Sequence, residues 1–400
     1  MGIVANGLLL AVLVGTASEG AAQGAAEPAR DRPETASPAS ADAPRTGKAR
    51  FFDRDDGQLD LSEFLEQARG FLPIPIVITE PAIGYGGGGA AMFLRPRREA
   101  GSEGWARPNI SVAGAFATEN GTKGGFAADT SRWMNGRLRT LVGAGTGRVN
   151  LDFYGLGTDA SSVDQKVRYS LDFTGAVGQV NWQMAPKSPW AVGLRYVYAD
   201  VEPKLRDDPI FPGLADGTHV KVSAPTAVLE YDTRDNIFTP TRGVYAETST
   251  LVSRESFGST DDFERFQQVL MGWVTLPNRV TLAARGNYAW SSSGTPFFLR
   301  PFVFLRGVPA MRFQGEKTAS IEGEGRWQFD DRWSAVAFVG TGIAQTRREG
   351  FSANEKVASG GVGFRYKLAR KFGMDVGMDV AHSPGTTAVY LVVGNSWFRP

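Results

Sequence analysis

Two stretches of strict period-two alternation, held apart by an overlong connection, constrain this chain more than any other feature. From Arg279 to Trp290 the even positions Val280, Leu282, Ala284, Gly286, Tyr288 and Trp290 are apolar or small, while Arg279, Thr281, Arg285 and Asn287 fall on the odd positions. From Thr318 to Phe329 one face holds Ala319, Ile321, Gly323, Gly325, Trp327 and Phe329, and the other Thr318, Ser320, Glu322, Glu324, Arg326 and Gln328. Alternation held this long is a strand signal. The connection is centred on Leu305 to Gly315, LRGVPAMRFQG. At about 25 residues it exceeds what a hairpin needs, and a loop of that length without its own structure is usually functional. It carries Arg306 and Arg312, and carboxylates stand on the polar face of the strand that follows.

The pattern recurs from Pro73 to the end, and predicts sixteen strands. Asn135-Gly136 marks a hairpin turn between Thr122–Met134 and Arg137–Leu151. Val167–Met184 sets Tyr169, Leu171 and Phe173 against Arg168, Ser170 and Asp172, and Trp190–Val201 sets Trp190, Val192, Leu194, Tyr196 and Tyr198 against a face with Arg195. Alternation is poor in Phe263–Leu276 and Trp333–Gln345. It changes phase near Pro225, where a bulge is expected. The last strand is expected over Thr387–Phe398, with its terminal aromatics in an interfacial girdle.

Segments of about ten alternating residues in even number, with short turns and longer loops in alternation, are the signature of a transmembrane antiparallel β-barrel. Charges sit deep in mid-strand (Arg168, Arg195, Arg285, Glu324, Arg365, Asp379) opposite apolar faces. The competing architecture, a soluble β-sandwich or propeller, does not account for these together with the leader. On the barrel reading the apolar face meets lipid and the charged face lines a lumen.

Composition enters as exclusion. Lys and Arg number 43 against 42 Asp and Glu, so there is no basic footprint for nucleic acid. The absence of Cys removes disulfides, thiolate metal sites and thiol nucleophiles. No segment is apolar for long enough to cross a bilayer as a helix. The start, with its apolar run Leu8–Val14 followed by small residues to Ala22 and Ala26, reads as a secretory signal over 1–26. Residues 27–72 read as a disordered leader and a short periplasmic helix from Ser62 to Gly70, and 73–400 as the barrel.

Three motifs have bland readings beside sharp ones. Gly84 to Gly89 satisfies a dinucleotide fingerprint, but strand-like residues follow and no helix offers an N-terminus, so a Gly-rich strand is expected. Asp56 to Phe64 matches the back half of an EF-hand loop. Its front half fails, because positions 1 and 3 would be Phe52 and Arg54, and a solvated acidic turn opening a helix is expected across residues 53–63. Asn120-Gly121-Thr122 reads as a hairpin turn. The two histidines, His219 and His382, lie near strand ends, and neither G-x-S-x-G nor H-E-x-x-H occurs. The residues point to no enzyme, cofactor or metal.

Three stretches in order resemble the BamA/TamA-type bacterial surface antigen family of outer-membrane barrels. Asp232, Arg234, Asp235, Asn236, Phe238, Pro240 and Gly243 resemble its D-x-R-D-N-x-F-x-P-x-x-G periplasmic turn, between the eighth and ninth strands. Leu305-Arg306-Gly307-Val308 resembles its V-R-G-F/Y loop, and Glu324-Gly325-Arg326 its E-x-R. The resemblance covers Pro73 to the end. It implies an outer-membrane location in a Gram-negative bacterium and a sixth extracellular loop folded into the lumen. Arg306 matches the family's loop arginine, with Glu324 the expected inner-wall partner and Glu322 beside it. Where the family carries F-x-D-x-G, this chain has Phe338-Val339-Gly340-Thr341-Gly342, so one acid is missing. Fewer than 50 residues separate Ala26 from Pro73, too few for the periplasmic POTRA domain of larger members, and a short form is expected.

Two functions follow as expectations. In the first, the barrel belongs with protein insertion and translocation machinery. It acts through the loop and a weak seam between first and last strands, where Pro73 and Pro75 remove ladder donors and Gly394 weakens the last strand. Its partners are outer-membrane lipid, unfolded outer-membrane clients and periplasmic accessory proteins. In the second it is a passive pore or structural barrel without a protein client.

Overall fold

The computed structural model describes residues 47–67, 71–97, 106–154, 166–205, 218–348 and 351–397. The expected signal, the leader up to residue 46 and Phe398 lie outside these residues. The helix expected from Ser62 is present as α1 (Ser62–Gln67). Then come β1 (Phe71–Glu80), β2 (Gly84–Arg97), β3 (Ala106–Thr118), β4 (Lys123–Trp133), β5 (Leu138–Tyr154), β6 (Lys166–Gln183), β7 (Trp190–Leu205) and β8 (Val220–Asp232). The second half holds β9 (Gly243–Ser253), β10 (Phe263–Leu276), β11 (Val280–Ser291), β12 (Lys317–Gln328), β13 (Trp333–Arg348), β14 (Phe351–Ala369), β15 (Met374–Ser383) and β16 (Thr386–Val393).

The sixteen strands form one antiparallel sheet in which each pairs with its neighbours in sequence. The sheet curls until β1 and β16 lie side by side, but among the described residues no ladder joins them. The barrel is therefore nearly closed, with a seam.

Alternation is what positions the walls. Leu194, Tyr196 and Tyr198 of β7, Leu282 and Tyr288 of β11, Ile321 and Trp327 of β12, Val362 and Phe364 of β14, and Met378 and Val380 of β15 all point outward and are exposed. They form an apolar belt suited to lipid. Inward groups are buried although many are charged: Arg195, Glu230, Arg285, Glu322, Arg365 and Asp379 are each under a twentieth exposed. The lumen is thus packed.

That packing corrects several sequence expectations. On the loop-side half of β6 the apolar face, Tyr169, Leu171 and Phe173, points inward into an apolar cluster with Phe298, Leu299 and Met311 of the long loop. Arg168 is on the outer face there and exposed. Alternation is weak in β13 because both faces are largely apolar, and in β10 because Glu264 and Gln268 share one face with Leu270 and Val274 while Arg265 and Gln267 share the other with Met271 and Trp273. The inner face of β10 packs Met271 and Trp273 against Trp397, and that of β13 places Phe338 beneath Arg306. Pro225 causes no bulge: the β7–β8 register runs through it unbroken. Instead the β8–β9 ladder stops at Thr226, and the Ser259 hydroxyl accepts from Ser223 N–H (2.8 Å) and donates to Ser223 O (3.1 Å) beyond it. A proline without an N–H ends a ladder, and a side chain takes over.

The final strand is shorter than expected. β16 stops at Val393, and Gly394 adopts a left-handed φ of 76°. A side chain there would meet the Phe238 carbonyl at 2.6 Å. Trp397 is buried in the lumen beside Tyr245, Met271 and Trp273 and is not a girdle residue. Gly394 lies outside the strand it was expected to weaken, and acts as the bend that sends the chain inward.

Candidate functional site

The connection between β11 and β12, residues 292–316, folds back into the barrel. Val303 N–H donates to Phe313 O (2.9 Å) and Gly315 N–H to Pro301 O (3.0 Å), giving the loop a hairpin of its own. Val303, Leu305 and Val308 are buried against Ala344 and Val357 of the wall. This apolar footing delivers Arg306 to the inner surface.

Arg306 meets three acids from two strands. Its Nε donates to Glu322 Oε1 (2.8 Å) and its Nη1 to Asp379 Oδ2 (2.8 Å), and Nη1 lies 2.9 Å from Glu324 Oε2. The Phe338 ring lies under the guanidinium at 3.5 Å. Arg285 stands 3.8 Å from Glu322, and Arg365 makes a two-pronged pair with Asp379 at 2.6 and 3.0 Å. Three arginines face three carboxylates, so the cluster is neutral. Inside a packed lumen such paired, charge-assisted contacts hold geometry firmly, whereas removal of one partner leaves a buried charge uncompensated.

Glu322 and Glu324 were legible as partners. Asp379, a mid-strand charge in the sequence, was not; β15 reaches Arg306 only when the barrel has nearly closed. The C-terminal segment was missed altogether. Ser396 Oγ accepts from Arg306 Nη1 (2.9 Å) and Arg365 Nη2 (3.0 Å) and donates to Asp379 Oδ2 (3.0 Å). Trp397 Nε1 donates to Glu322 Oε1 (2.7 Å). Gly340 is not simply a lost acid, since a side chain there would meet Leu305 Cδ2 at 2.8 Å.

Arg326 does not join this cluster. Its Nη2 donates to Pro240 O (3.1 Å), and its Nη1 lies 4.0 Å from Asp375. It holds the β8–β9 turn. In that turn Arg234 makes two 3.0 Å bonds to Asp232 and lies over the Tyr245 ring. The Asp235 carboxylate accepts from Thr241 N–H (2.9 Å). Asn236 donates to Phe372 O (2.9 Å), and Phe238 O accepts from Asn395 Nδ2 (3.0 Å). Gly243 opens β9. The turn therefore reaches across the end of the barrel opposite the long loop and touches the strands near the seam.

With this geometry the barrel can be set beside known ones. It superposes on BamA from Haemophilus ducreyi lacking POTRA domains 1–3 with a TM-score of 0.54 and 11% identity, covering 81% of this chain and 70% of that one. CdiB from Escherichia coli gives 0.60 and 11%, covering 80% of this chain and 61% of that one. CdiB from Acinetobacter baumannii gives 0.53 and 9%, covering 81% and 59%. The chain has the fold of these barrels. It spans about 60% of the length of the two CdiB chains. Neither a protein-family model nor a curated protein matches the sequence.

At the seam the barrel is held by the loop where it lacks a ladder. Pro73 and Pro75 are exposed on β1, and the β1–β2 register runs through both without a break. Their missing N–H groups therefore belong to the edge that faces β16. Gly307, at a left-handed φ of 85°, donates its N–H to Tyr390 Oη of β16 (3.0 Å) and accepts from Ser383 Oγ at the end of β15 (2.7 Å). Ala310 N–H donates to Glu80 Oε1 at the end of β1 (3.0 Å). Loop residues 307–310 thus bond both lips.

Proposed function

We propose that this chain is an outer-membrane barrel that inserts or translocates protein clients, its seam between β1 and β16 being the joint that opens and the Arg306 loop the element that holds it. The observation that carries this reading is the pairing of an unladdered seam with a loop bonded to both of its lips at Tyr390 and Glu80. A barrel built only for rigidity has no need of an open edge, because exposed strand edges are a liability that full closure removes. The likeness in fold to BamA and CdiB supports the same direction. The BamA/TamA-like motifs sit where that reading needs them, with Arg306 in the lumen and Asp232 to Gly243 beneath it. The partners are membrane lipid, unfolded barrel clients and periplasmic accessory proteins. No step requires catalytic chemistry or a cofactor.

Depletion of the protein followed by profiling of outer-membrane proteins tests this directly. A broad loss of other barrels is expected; an unchanged profile would leave the alternative, a passive pore or structural barrel, in possession.

A further inference from the structure

The acidic stretch that half-matched an EF-hand loop is largely exposed, as expected, but three of its acids share one buried cation. Asp53, Asp56 and Asp60 converge on Arg332, which lies in the turn between β12 and β13. Its Nε donates to Asp56 (2.7 Å), its Nη1 to Asp60 (2.6 Å) and Lys367 O (3.1 Å), and its Nη2 to Asp53 (2.6 Å) and Asp56 (3.0 Å). A guanidinium has five N–H donors. All five are used, and the side chain is fully buried.

The same segment is anchored to the next turn as well. Leu61 N–H donates to Leu368 O (2.8 Å), Tyr366 Oη donates to Leu59 O (2.7 Å), Lys371 N–H donates to Ser62 Oγ (3.1 Å), and Arg370 Nη1 donates to Asp53 (3.1 Å). From Ser62 the chain runs through α1, and only residues 68–70 separate Gln67 from Phe71, the first residue of β1. Three residues reach about 10 Å at full extension. The helix that leads into this short connection is bonded at its Ser62 end to the β14–β15 turn, and the connection itself ends at the lip of the seam on the far side.

We infer that residues 47–67 form a strap across the end of the seam opposite the long loop, tying β1 to the β12–β13 and β14–β15 turns through Arg332, so that the seam is held at both ends. The inference rests on the seam being the joint of the proposed function, but its test reads exchange and not client insertion. Loop residues Gly307 and Ala310 hold the loop end; the strap holds the other. Opening the seam fully then requires release of both.

Amide hydrogen exchange on the full-length barrel in detergent or liposomes decides it, with Arg332→Ala and the milder Asp56→Asn, each checked for a folded, heat-modifiable band. The expected result is faster exchange, by on the order of tenfold or more, in residues 47–67 and also in the first residues of β1 and the last of β16. Asp56→Asn leaves Asp53 and Asp60 on Arg332, so it should give the same pattern at smaller amplitude. Faster exchange in the strap with unchanged β1 and β16 would overturn the inference, leaving a docked segment with no hold on the seam. Unchanged exchange throughout would overturn the clamp itself.

Discussion

Arg306 and Asp379 stand 73 positions apart in sequence and 2.8 Å apart in the lumen. Because Asp379 also receives Arg365 and Ser396, the loop, β14, β15 and the C-terminal segment meet at one carboxylate. Arg306→Ala is therefore expected to cost about 3–5 kcal/mol, the usual cost of breaking a buried pair, with Asp379→Asn in the same range and the double variant well short of the sum. Loss of heat resistance of the folded band on gels measures this, and an unchanged band would sink it.

Gly340→Asp restores the acid that the resemblance leads one to miss. It is expected to lower heat resistance, because the new side chain collides with Leu305 and Glu322. A more resistant band would show that the vacancy was a real weakness.

Trp397 should behave as a lumen residue. In a variant that keeps Trp397 as its single tryptophan, brominated lipid should leave the fluorescence intact, whereas a variant keeping Trp327 alone should be quenched; quenching of Trp397 would return it to the girdle. Trp397→Ala should also weaken the folded band, since Glu322 loses a donor and Trp273 a packing partner.

The packed lumen predicts little conductance in planar bilayers. Deleting residues 299–315 removes Leu305, Val308 and Met311 from the interior and should raise it. If conductance is already high, or does not rise, the loop is no plug.

The strap should depend on acid. Arg332 beside Asp56 holds its carboxyl below the usual carboxylate range; for Asp53 burial pushes upward, but the Asp55 N–H, Arg370 and Arg332 outweigh it. The groups facing them are Asp60, Arg332, Arg370, Lys371 and Tyr366. Depressed values mean that docking is fully favoured above about pH 4 and is lost as pH falls through the lowered values. A spin label at Gln58 should gain mobility as pH falls from about 4 to about 2; gain on the alkaline side instead would reverse the sign and sink the prediction.

Much of this molecule was legible because period two is a local property. Most of the sixteen strands followed from it, β10 and β13 being those where it was poor, and the outward faces of β7, β11, β12 and β15 followed correctly. What failed was decided by long-range packing. The inner face of β6 is apolar because it meets the loop, a contact made with residues more than a hundred positions on. Asp379, Ser396 and Trp397 reach Arg306 only through the near closure of the sheet and the bend at Gly394. The strap escaped notice because its acids imitate a metal loop, while the cation that they receive comes from Arg332, 272 residues beyond Asp60.

The neutrality and burial of the Arg306 cluster have a consequence for ionic strength. Counter-ions screen charges that they can approach and leave buried pairs largely untouched, so added salt should barely loosen Arg306 from Glu322 and Asp379. Asp56, about a quarter exposed at the rim, is within reach of solvent ions. Brine would therefore undo the two fastenings of the seam in a fixed order, the Arg332 end first and the Arg306 end last.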